Sequence, residues 1–445
     1  MQINRLVIAY VVMGTALCVM AEDYTVTVGA GDADVVWSDV SEAGPAGLLA
    51  GDVKDRRLVK MGGGRLVIQC DLKTAGYTGE IKVQEGYLQL KHDGACGTSA
   101  GGVVVVSGAT LEGESRYKSG SLQYQNEPLT FEGFGVNGTE GAVKMLGGST
   151  WNFFSSGTKT MTGDALWNGT GRLDVRAGTF DMGGHTFYGT NSIAVVNANV
   201  INPGKIVFYK GTPSFEGDSL KLNGDASNEM IFMGSAASDL LTEFTFATVK
   251  QEQFWTMAIT NTVKFYPRVA HKASRTNLAS AVTYNRWGGP IYIGSGAKAL
   301  MSNTWIGSIP QIGPDPNHHL INFNGKVSGP GGIEMVDYSY LRLKCPTNDF
   351  TGGVKLSGHS ILEAAGVGSI GSGPLTLGSS TLLEFLYGEL WEPGTMTDVE
   401  YARIFELKRT RYDGQAYYYQ DTNVVFTGLQ DFTYTGAIDG DIEPS

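Results

Sequence analysis

Two pairs of polar residues have types and spacings that suit acid–base chemistry. Asp174 and Asp181 each lie between two apolar residues of a short strand-like run, and Asn348 is followed by Asp349. Glycoside hydrolysis needs two carboxylates about 5 to 9.5 Å apart. Because side chains alternate along a strand, Asp174 and Asp181 are both predicted to point to solvent. Outward acids are common on any β surface, so the sequence predicts no catalytic residue.

Residues that suit a metal ion lie in loop-like stretches. His318 and His319 follow Asp315, and imidazole and carboxylate are ordinary metal ligands. Neighbouring residues of an extended chain point to opposite sides, which favours solvated histidines. Two Asp-x-Asp pairs offer oxygen ligands for calcium but do not fit the EF-hand loop. These pairs are Asp32 with Asp34 and Asp439 with Asp441. We therefore expect no metal and no cofactor.

Tryptophans are the remaining candidates for a binding site. Exposed indole rings in a row would offer a platform for sugar rings, whereas buried ones would fill the core, and the second interpretation is favoured. The residues concerned are Trp151, Trp167, Trp287, Trp305 and Trp391. The chain contains no His-Glu-x-x-His and no phosphate-binding loop.

Composition and charge exclude some partners and favour turn-rich β structure. Glycine accounts for 62 of 445 residues without a collagen period, and charged residues are only 17%. Lysine and arginine number 33 against 44 acidic residues, giving a net charge of −11. A nucleic acid or an anionic membrane needs a cationic surface. We expect neither as a partner.

The amino terminus has the form of a secretory signal peptide. Arg5 precedes the apolar stretch from Leu6 to Cys18, and Val19-Met20-Ala21 fits a cleavage site. An apolar stretch of about 15 residues is short for a bilayer core of ~30 Å, and no later segment is apolar for long enough. The sequence therefore predicts residues 1–21 as a cleaved leader, export to the cell surface or the medium, and no transmembrane segment afterwards.

Removal of the leader leaves an odd number of cysteines, Cys70, Cys96 and Cys345. This is no disulfide framework. Cys70 and Cys96 are about one turn of the predicted coil apart, so neighbouring strands at ~4.8 Å would allow a disulfide between them. Buried thiols are the favoured alternative.

A block of short strands and glycine turns occurs twice, near residues 61–112 and 329–384. Each copy has a glycine cluster, a Leu-x-Leu-like strand, an aromatic-Thr-Gly step and an apolar-Lys-apolar strand. Alternating strands separated by glycine are typical of a chain that coils on itself. The side chains predicted to point into the core are Leu66, Ile68, Leu341 and Leu343.

The same pattern predicts a division of the chain. Residues 22–57 are predicted to cap the first coil, residues 58–385 to form a β-solenoid, and residues 386–445 to form a partial C-terminal module. Residues 236–320 lack the period and are predicted to be an insertion or long loops. A capping-box pattern at 397–400 predicts a short helix.

The repeated block resembles the autotransporter-associated β-strand repeat of bacterial surface proteins. The matching residues are Leu66, Ile68, Tyr77, Thr78, Gly79, Ile81, Val83, Gly86, Leu88 and Leu90 in the first copy, and Leu341, Leu343, Phe350, Thr351, Gly352, Gly353, Val354 and Leu356 in the second. The resemblance implies an all-β, right-handed parallel β-helix of the pectin-lyase-like kind, exported to the bacterial surface. The glycine after the strand is shifted in the second copy.

The sequence thus favours an exported structural or adhesive solenoid without catalytic activity, whose partners are glycans or other surface proteins. Two alternatives stay open. A polysaccharide-degrading enzyme requires clustered acidic and basic residues from neighbouring circuits, and a polysaccharide-binding protein requires an aligned row of exposed aromatic residues.

Overall fold

The computed structural model describes residues 23–386, apart from residues 52, 115–120, 126, 148–149, 155–156, 191, 235–241, 248, 269–284, 303–319, 338, 359 and 379–381, together with segments 423–427 and 438–440. The described chain is a parallel β-helix, in which strands of successive circuits lie side by side. It has one short α-helix, α1 (Ala43–Leu48), and two 3₁₀ turns, Val136–Gly138 and Val367–Ile370.

The strands of the first half, in chain order, are β1 (Tyr24–Thr27), β2 (Val35–Trp37), β3 (Leu58–Met61), β4 (Arg65–Ile68), β5 (Ile81–Val83), β6 (Gly86–Leu90), β7 (Val103–Val105), β8 (Ala109–Gly113), β9 (Ser121–Gln125), β10 (Leu129–Gly133), β11 (Val143–Met145), β12 (Thr150–Phe154), β13 (Lys159–Gly169), β14 (Arg172–Arg176), β15 (Thr179–Asp181), β16 (Thr186–Thr190), β17 (Ile193–Val196), β18 (Asn199–Ile201) and β19 (Lys205–Lys210).

Those of the second half are β20 (Ser214–Glu216), β21 (Lys221–Leu222), β22 (Glu229–Phe232), β23 (Thr242–Ala247), β24 (Thr256–Ile259), β25 (Val263–Arg268), β26 (Arg286–Trp287), β27 (Ile291–Ile293), β28 (Lys298–Met301), β29 (Leu320–Phe323), β30 (Val327–Ser328), β31 (Gly332–Met335), β32 (Tyr340–Leu343), β33 (Val354–Leu356), β34 (Ile361–Ala364), β35 (Leu375–Leu377), β36 (Leu382–Leu386), β37 (Asn423–Thr427) and β38 (Ile438–Gly440).

Strands of successive circuits pair in three lines. The first line begins β1, β3, β5, β7 and β10, and the second begins β2, β4, β6, β8 and β11. The long strand β13 belongs to both lines and joins them into a 20-stranded sheet. The third line is a 12-stranded sheet from β9 to β38. Short corners replace the crossover helices of an ordinary parallel sheet, so each circuit stacks directly on the previous one.

The first line ends at β21 and is continued by a separate six-stranded sheet. The side chain of Gln253 makes the connection. Oε1 of Gln253 accepts the backbone N–H of Leu222, at the end of β21, at 2.9 Å. The backbone of Gln253 then bridges to Trp287 in β26, where the sheet β26–β29–β32–β34–β36–β37 begins. The buried amide of Gln253 therefore takes the place of a missing strand.

One apolar core fills the coil from Trp37 to Leu383. Leu66, Ile68, Leu341 and Leu343 are all 0% exposed, which confirms their predicted inward orientation. Each buried aliphatic side chain of this size contributes roughly 1.5–3 kcal/mol relative to an exposed one. Burial along the whole described coil therefore stabilises it far more than any single contact.

The close approach of the neighbouring circuit requires glycine at the motif positions. A Cβ added to Gly79 would lie 2.1 Å from the carbonyl oxygen of Arg56, and one added to Gly352 would lie 2.4 Å from the carbonyl carbon of Gly331. Both positions belong to the aromatic-Thr-Gly step, at which backbone packs on backbone. This contact explains why the step ends in glycine in both copies.

The two sequence copies occupy different faces of the coil. Leu66 lies in β4 on the second line, whereas its counterpart Leu341 lies in β32, which continues the first line. Ile81 of the first copy lies on the first line, and Val354 of the second lies on the third. The repeated block therefore encodes a strand–corner–strand unit that is not tied to one face.

The structure changes one prediction about the middle of the chain and extends one about its carboxyl-terminal part. The prediction of an insertion at 236–320 is wrong for its described parts, because β23 to β29 continue the lines in register. Within the predicted C-terminal module, β37 and β38 pair with β36 and β35. The helix predicted from 397 lies outside the described residues.

Residues 23–57 form a circuit of their own at the amino-terminal end. β1 and β2 pair with β3 and β4, and Leu48 of helix α1 is fully buried. Gly44 and Gly47 bring the helix against Trp37 and Tyr24. Among the residues that the structure describes, no helix has the length and apolar character needed to cross a bilayer.

The predicted alternative for Cys70 and Cys96 is confirmed, because both are buried thiols with no disulfide between them. Burial raises the pKa of Cys70 to about 11. A thiolate is therefore suppressed at this position, and the side chain serves as a small apolar group of the core.

Substitution of the motif glycine tests this packing. Gly352→Ala is expected to lower the free energy of unfolding by about 1–3 kcal/mol, since the new methyl group meets the backbone of Gly331. Thr351→Ala, at the adjacent exposed position, is the matched control and is expected to change it by less than ~0.5 kcal/mol. Equilibrium denaturation measures both, and equal effects would contradict the backbone-contact explanation.

Candidate functional site

The structure does not bring the predicted carboxylate pair together. Asp174 lies in β14 on the third line, and Asp181 lies in β15 on the first. The prediction that Asp174 points to solvent is wrong, since its side chain is 0% exposed. Arg172 and Arg176, two residues away on either side, cover it, with Arg176 Nε at 2.8 Å from Oδ2. Alternation alone did not show that two long cationic side chains would close over the outward position.

Asp181 and Asn348 stabilise the coil. Oδ1 of Asp181 accepts the N–H of Gly183 and the amide of Asn202, both at 2.9 Å. Asn348 is buried, accepting the N–H of Val327 at 2.8 Å and donating to the carbonyl of Ser369 at 2.6 Å. Both side chains link successive circuits and therefore have a structural explanation.

The remaining predicted ligands are either solvated or outside the described residues. Asp349 is largely exposed and pairs with Lys326 at 2.6 Å. Asp32 accepts the N–H of Gly29 at 2.8 Å, and Asp34 lies 3.6 Å from Arg65. Within the described ranges, no group of three or more His, Cys, Asp or Glu side chains is arranged to hold a metal ion. Those of which the structure describes no side chain are His318, His319, Asp315, Asp439 and Asp441.

The tryptophans divide in the same way. Trp167 and Trp287 are fully buried, as the core-filling interpretation predicts. Trp167 packs edge-on against Phe187, with ring centroids 5.3 Å apart. The side chains of Trp151, Trp305 and Trp391 lie outside the described set, so the tryptophan platform stays without support.

A different aromatic surface lies on the outer side of the second line. In register across successive circuits are Leu166, Tyr188, Val207, Ile231, Ala258 and Tyr292, which we call the apolar row. Tyr292 is 45% exposed. Four circuit steps separate Tyr188 from Tyr292, which at strand spacing is about 19 Å. The row thus extends over several circuits of the coil.

Aromatic rings beside the row widen it. Tyr188 stacks on Tyr209 with centroids 6.0 Å apart and an interplanar angle of 12°, and Phe134 lies 5.2 Å from Tyr188. Met233, next to the row, is 44% exposed. Leu166 and Val207 of the row are buried, so its accessible part is formed by Tyr292 and Met233 with the half-buried Tyr188, Ile231 and Ala258. An apolar patch of several residues marks an interaction site more often than isolated apolar residues do.

A row of polar residues runs directly alongside. Thr186, Lys205, Glu229 and Thr256 are in register two positions before the apolar row on each strand. Lys205 and Glu229 form an ion pair at 2.6 Å. Together the two rows make an amphipathic strip, which we call the outer strip, with hydrogen-bonding groups on one side and rings on the other.

The sequence contained a signal for the outer strip that the analysis of single residues missed. In the runs around Tyr188, Ile231 and Tyr292, the residue at the outward position of an alternating strand is apolar like its inward neighbours. At these three positions an apolar residue replaces the polar outward residue that half-buried strands usually show. Only the register across circuits shows that the three positions coincide.

A second surface feature is a shallow groove of about 300 Å³ near the second repeat copy. Its floor is backbone, including Gly331, Gly332 and Gly353, and Lys298 and Lys355 lie at its edge. Glu334 lies between these lysines, at 2.7 and 3.5 Å. Burial acts to raise the pKa of Glu334, but the hydrogen bond and charge of Lys298, with Lys355, lower it overall. The groove therefore holds a compensated ion cluster.

A third cluster surrounds a buried carboxylate on the outer side of the second line. Glu112 is 0% exposed, with Arg65 Nε at 2.8 Å and Lys144 Nζ at 3.9 Å. The Arg65 guanidinium also lies 4.8 Å from the ring centre of Tyr87. Every charge here has a partner, so the cluster joins circuits and leaves no group ready for proton transfer. Of the three surfaces, the outer strip is the candidate functional site.

Removal of the Asp174 charge tests its structural role. Asp174→Asn is expected to lower the free energy of unfolding by about 1–3 kcal/mol, because the two arginines lose the buried negative charge and one of its two acceptor oxygens. Asp181→Asn, at a half-buried turn position, serves as the control and is expected to cost less. Chemical denaturation measures both free energies of unfolding. An unchanged value for Asp174→Asn would show that the arginines do not depend on the carboxylate.

Comparison with known proteins finds no match for this chain. No protein-family model matches the chain, and no curated protein or solved structure matches it either. The resemblance to the autotransporter-associated repeat therefore stays a prediction that depends on the residues of its two copies.

Proposed function

We propose that this protein is an exported β-solenoid that serves as a structural and adhesive module and has no catalytic activity. The observation that supports this most is the single core from Trp37 to Leu383. A coil with a continuous core is stiff along its axis and presents its outer positions again at each circuit. The leader-like residues 1–21 support export to the cell surface or the medium.

The chemistry of the proposed partner follows from the outer surface. The net charge of −11 weighs against nucleic acid and anionic membranes, as the sequence predicts. Neutral glycans and other surface proteins need no cationic field. Adhesion through many weak, repeated contacts gains strength from their number, which a long repeated surface supplies.

A bead assay tests the proposal directly. The chain without residues 1–21, coupled to beads, is expected to be retained on surfaces coated with a suitable glycan or surface protein. The same preparation is expected to release no reducing sugar from a panel of polysaccharides. Heat-unfolded protein on the same beads is the control. Release of sugar at an enzyme-like turnover, about 1 s⁻¹ or more, would contradict the proposal.

Binding of a polysaccharide is a second candidate function, favoured by the outer strip. A sugar chain has apolar ring faces and polar edges, so an apolar row with a tyrosine at either end, beside a row of hydrogen-bonding groups, complements both. The length of the apolar row, about 19 Å from Tyr188 to Tyr292, would accommodate several sugar units. This geometry favours a linear polymer lying along the axis.

Alanine substitution distinguishes this candidate. Tyr188→Ala and Tyr292→Ala are each expected to weaken binding of a linear polysaccharide by roughly two- to tenfold, because each ring contact contributes ~0.5–1.5 kcal/mol. Tyr87→Ala is the matched control, since Tyr87 lies on the same line but outside the strip. A glycan array followed by calorimetry measures the affinities, and equal losses in all three variants would rule out the strip as the binding surface.

A further inference from the structure

A lysine occupies an interior position of the first line. Lys159 pairs with Leu129 on one side and Phe180 on the other, and both of these belong to the core. Inner positions of neighbouring circuits on this line are Leu58, Ile81, Val103, Val200 and Leu222. Lys159 is nevertheless 0% exposed. A lysine thus occupies a register position whose neighbours along the line are hydrocarbon.

The buried ammonium is poorly solvated by the protein. Nζ of Lys159 donates to the carbonyl of Gly157 at 2.6 Å, while an ammonium has three protons to donate. Lys60 shows the contrast, since its Nζ donates to the carbonyls of Met61, Gly62 and Glu85 at 2.6 to 3.1 Å. Lys159 is therefore less compensated than Lys60.

A buried acid lies close by in the preceding circuit. Glu127 precedes Leu129 by two residues, so an extended chain places it on the same side. It is 1% exposed, and neither of its carboxylate oxygens has a hydrogen-bond partner. Two titratable groups thus share the interior between β10 and β13, where the register also shifts between Phe131 and Gly133.

We propose that Glu127 and Lys159 form a pH-responsive seam, at which the circuits through β10 and β13 separate more readily near neutral pH than in acid or in base. Opening the seam exposes both groups to water. Each group then regains the solvation that its charged form lacks inside the coil.

The charges that act on the seam set the direction of the effect. Burial raises the pKa of Glu127 to about 7, opposed by the nearby backbone N–H of the same residue and by the charges of Lys73 and Lys159. Burial lowers the pKa of Lys159 to about 8, opposed by Glu127. In acid, closing the seam is favoured because Glu127 binds its proton more tightly inside, and this advantage is lost as the pH rises to about 7.

Lys159 gives the opposite pH dependence of closing, on the alkaline side. Above the ordinary lysine pKa, Lys159 is neutral in both the open and the closed form. Burial then costs no solvation of an ammonium charge. As the pH falls towards about 8, the open form takes up a proton first, so closing becomes less favourable. Between these limits both groups carry charge, and the seam is at its weakest.

Hydrogen exchange of the backbone amides in β10 and β13 measures the opening, after correction for the intrinsic exchange rate. Opening is expected to be at least about fivefold more frequent at pH 7.5 than at pH 5.5 or pH 9, given the two displaced pKa values. Local exchange is needed because burial also lowers the pKa of Lys60 to about 8, which affects global unfolding.

Near-isosteric variants separate the acidic and alkaline parts of the pH profile. Glu127→Gln is expected to abolish the pH dependence below pH 7.5, Lys159→Met to abolish it above, and the double variant to abolish both. Lys60→Met is the matched control and should leave the profile at β10 and β13 unchanged. A flat profile in the unmodified protein, or an unchanged profile in the double variant, would overturn the proposal.

Discussion

The structure depends on parallel backbone pairing between successive circuits. Each strand satisfies its N–H and C=O groups with the strands before and after it, so no circuit is complete alone. This pairing holds inner side chains above one another, and the interior becomes a set of continuous apolar columns. It also brings corner against corner, where glycine is the residue that fits.

Polar residues inside the coil are tolerated when they take over part of this pairing. Gln253 replaces a strand with its amide, and Asn348 joins three circuits with one side chain. Lys60 places its ammonium among three carbonyls at a corner. These groups exchange their solvation for backbone partners, which offsets the cost of burial. Lys159 has a single backbone acceptor, that of Gly157, and Glu127 is compensated less, and for this reason the proposed instability is located there.

The interior is occupied by packing, so recognition of a partner is left to the outside. There the same register that builds the core aligns outward residues into rows that cross many circuits. Most such positions are charged and paired, as around Glu112 and Asp174. The outer strip differs because rings remain half-exposed beside polar groups, and this combination supports the polysaccharide-binding candidate.

The sequence by itself determined the local unit: a short strand with its apolar side inward, an aromatic-Thr-Gly corner and another strand. Leu66 and Leu341 are buried as predicted because alternation is a property of neighbouring residues. The face on which each copy lies depends on the tertiary structure. The tertiary structure also places arginines over Asp174 and aligns Tyr188 with Tyr292 in one row. The physical reason is that neighbours across circuits are separated by corners of variable length, so their alignment depends on pairing that no local pattern encodes.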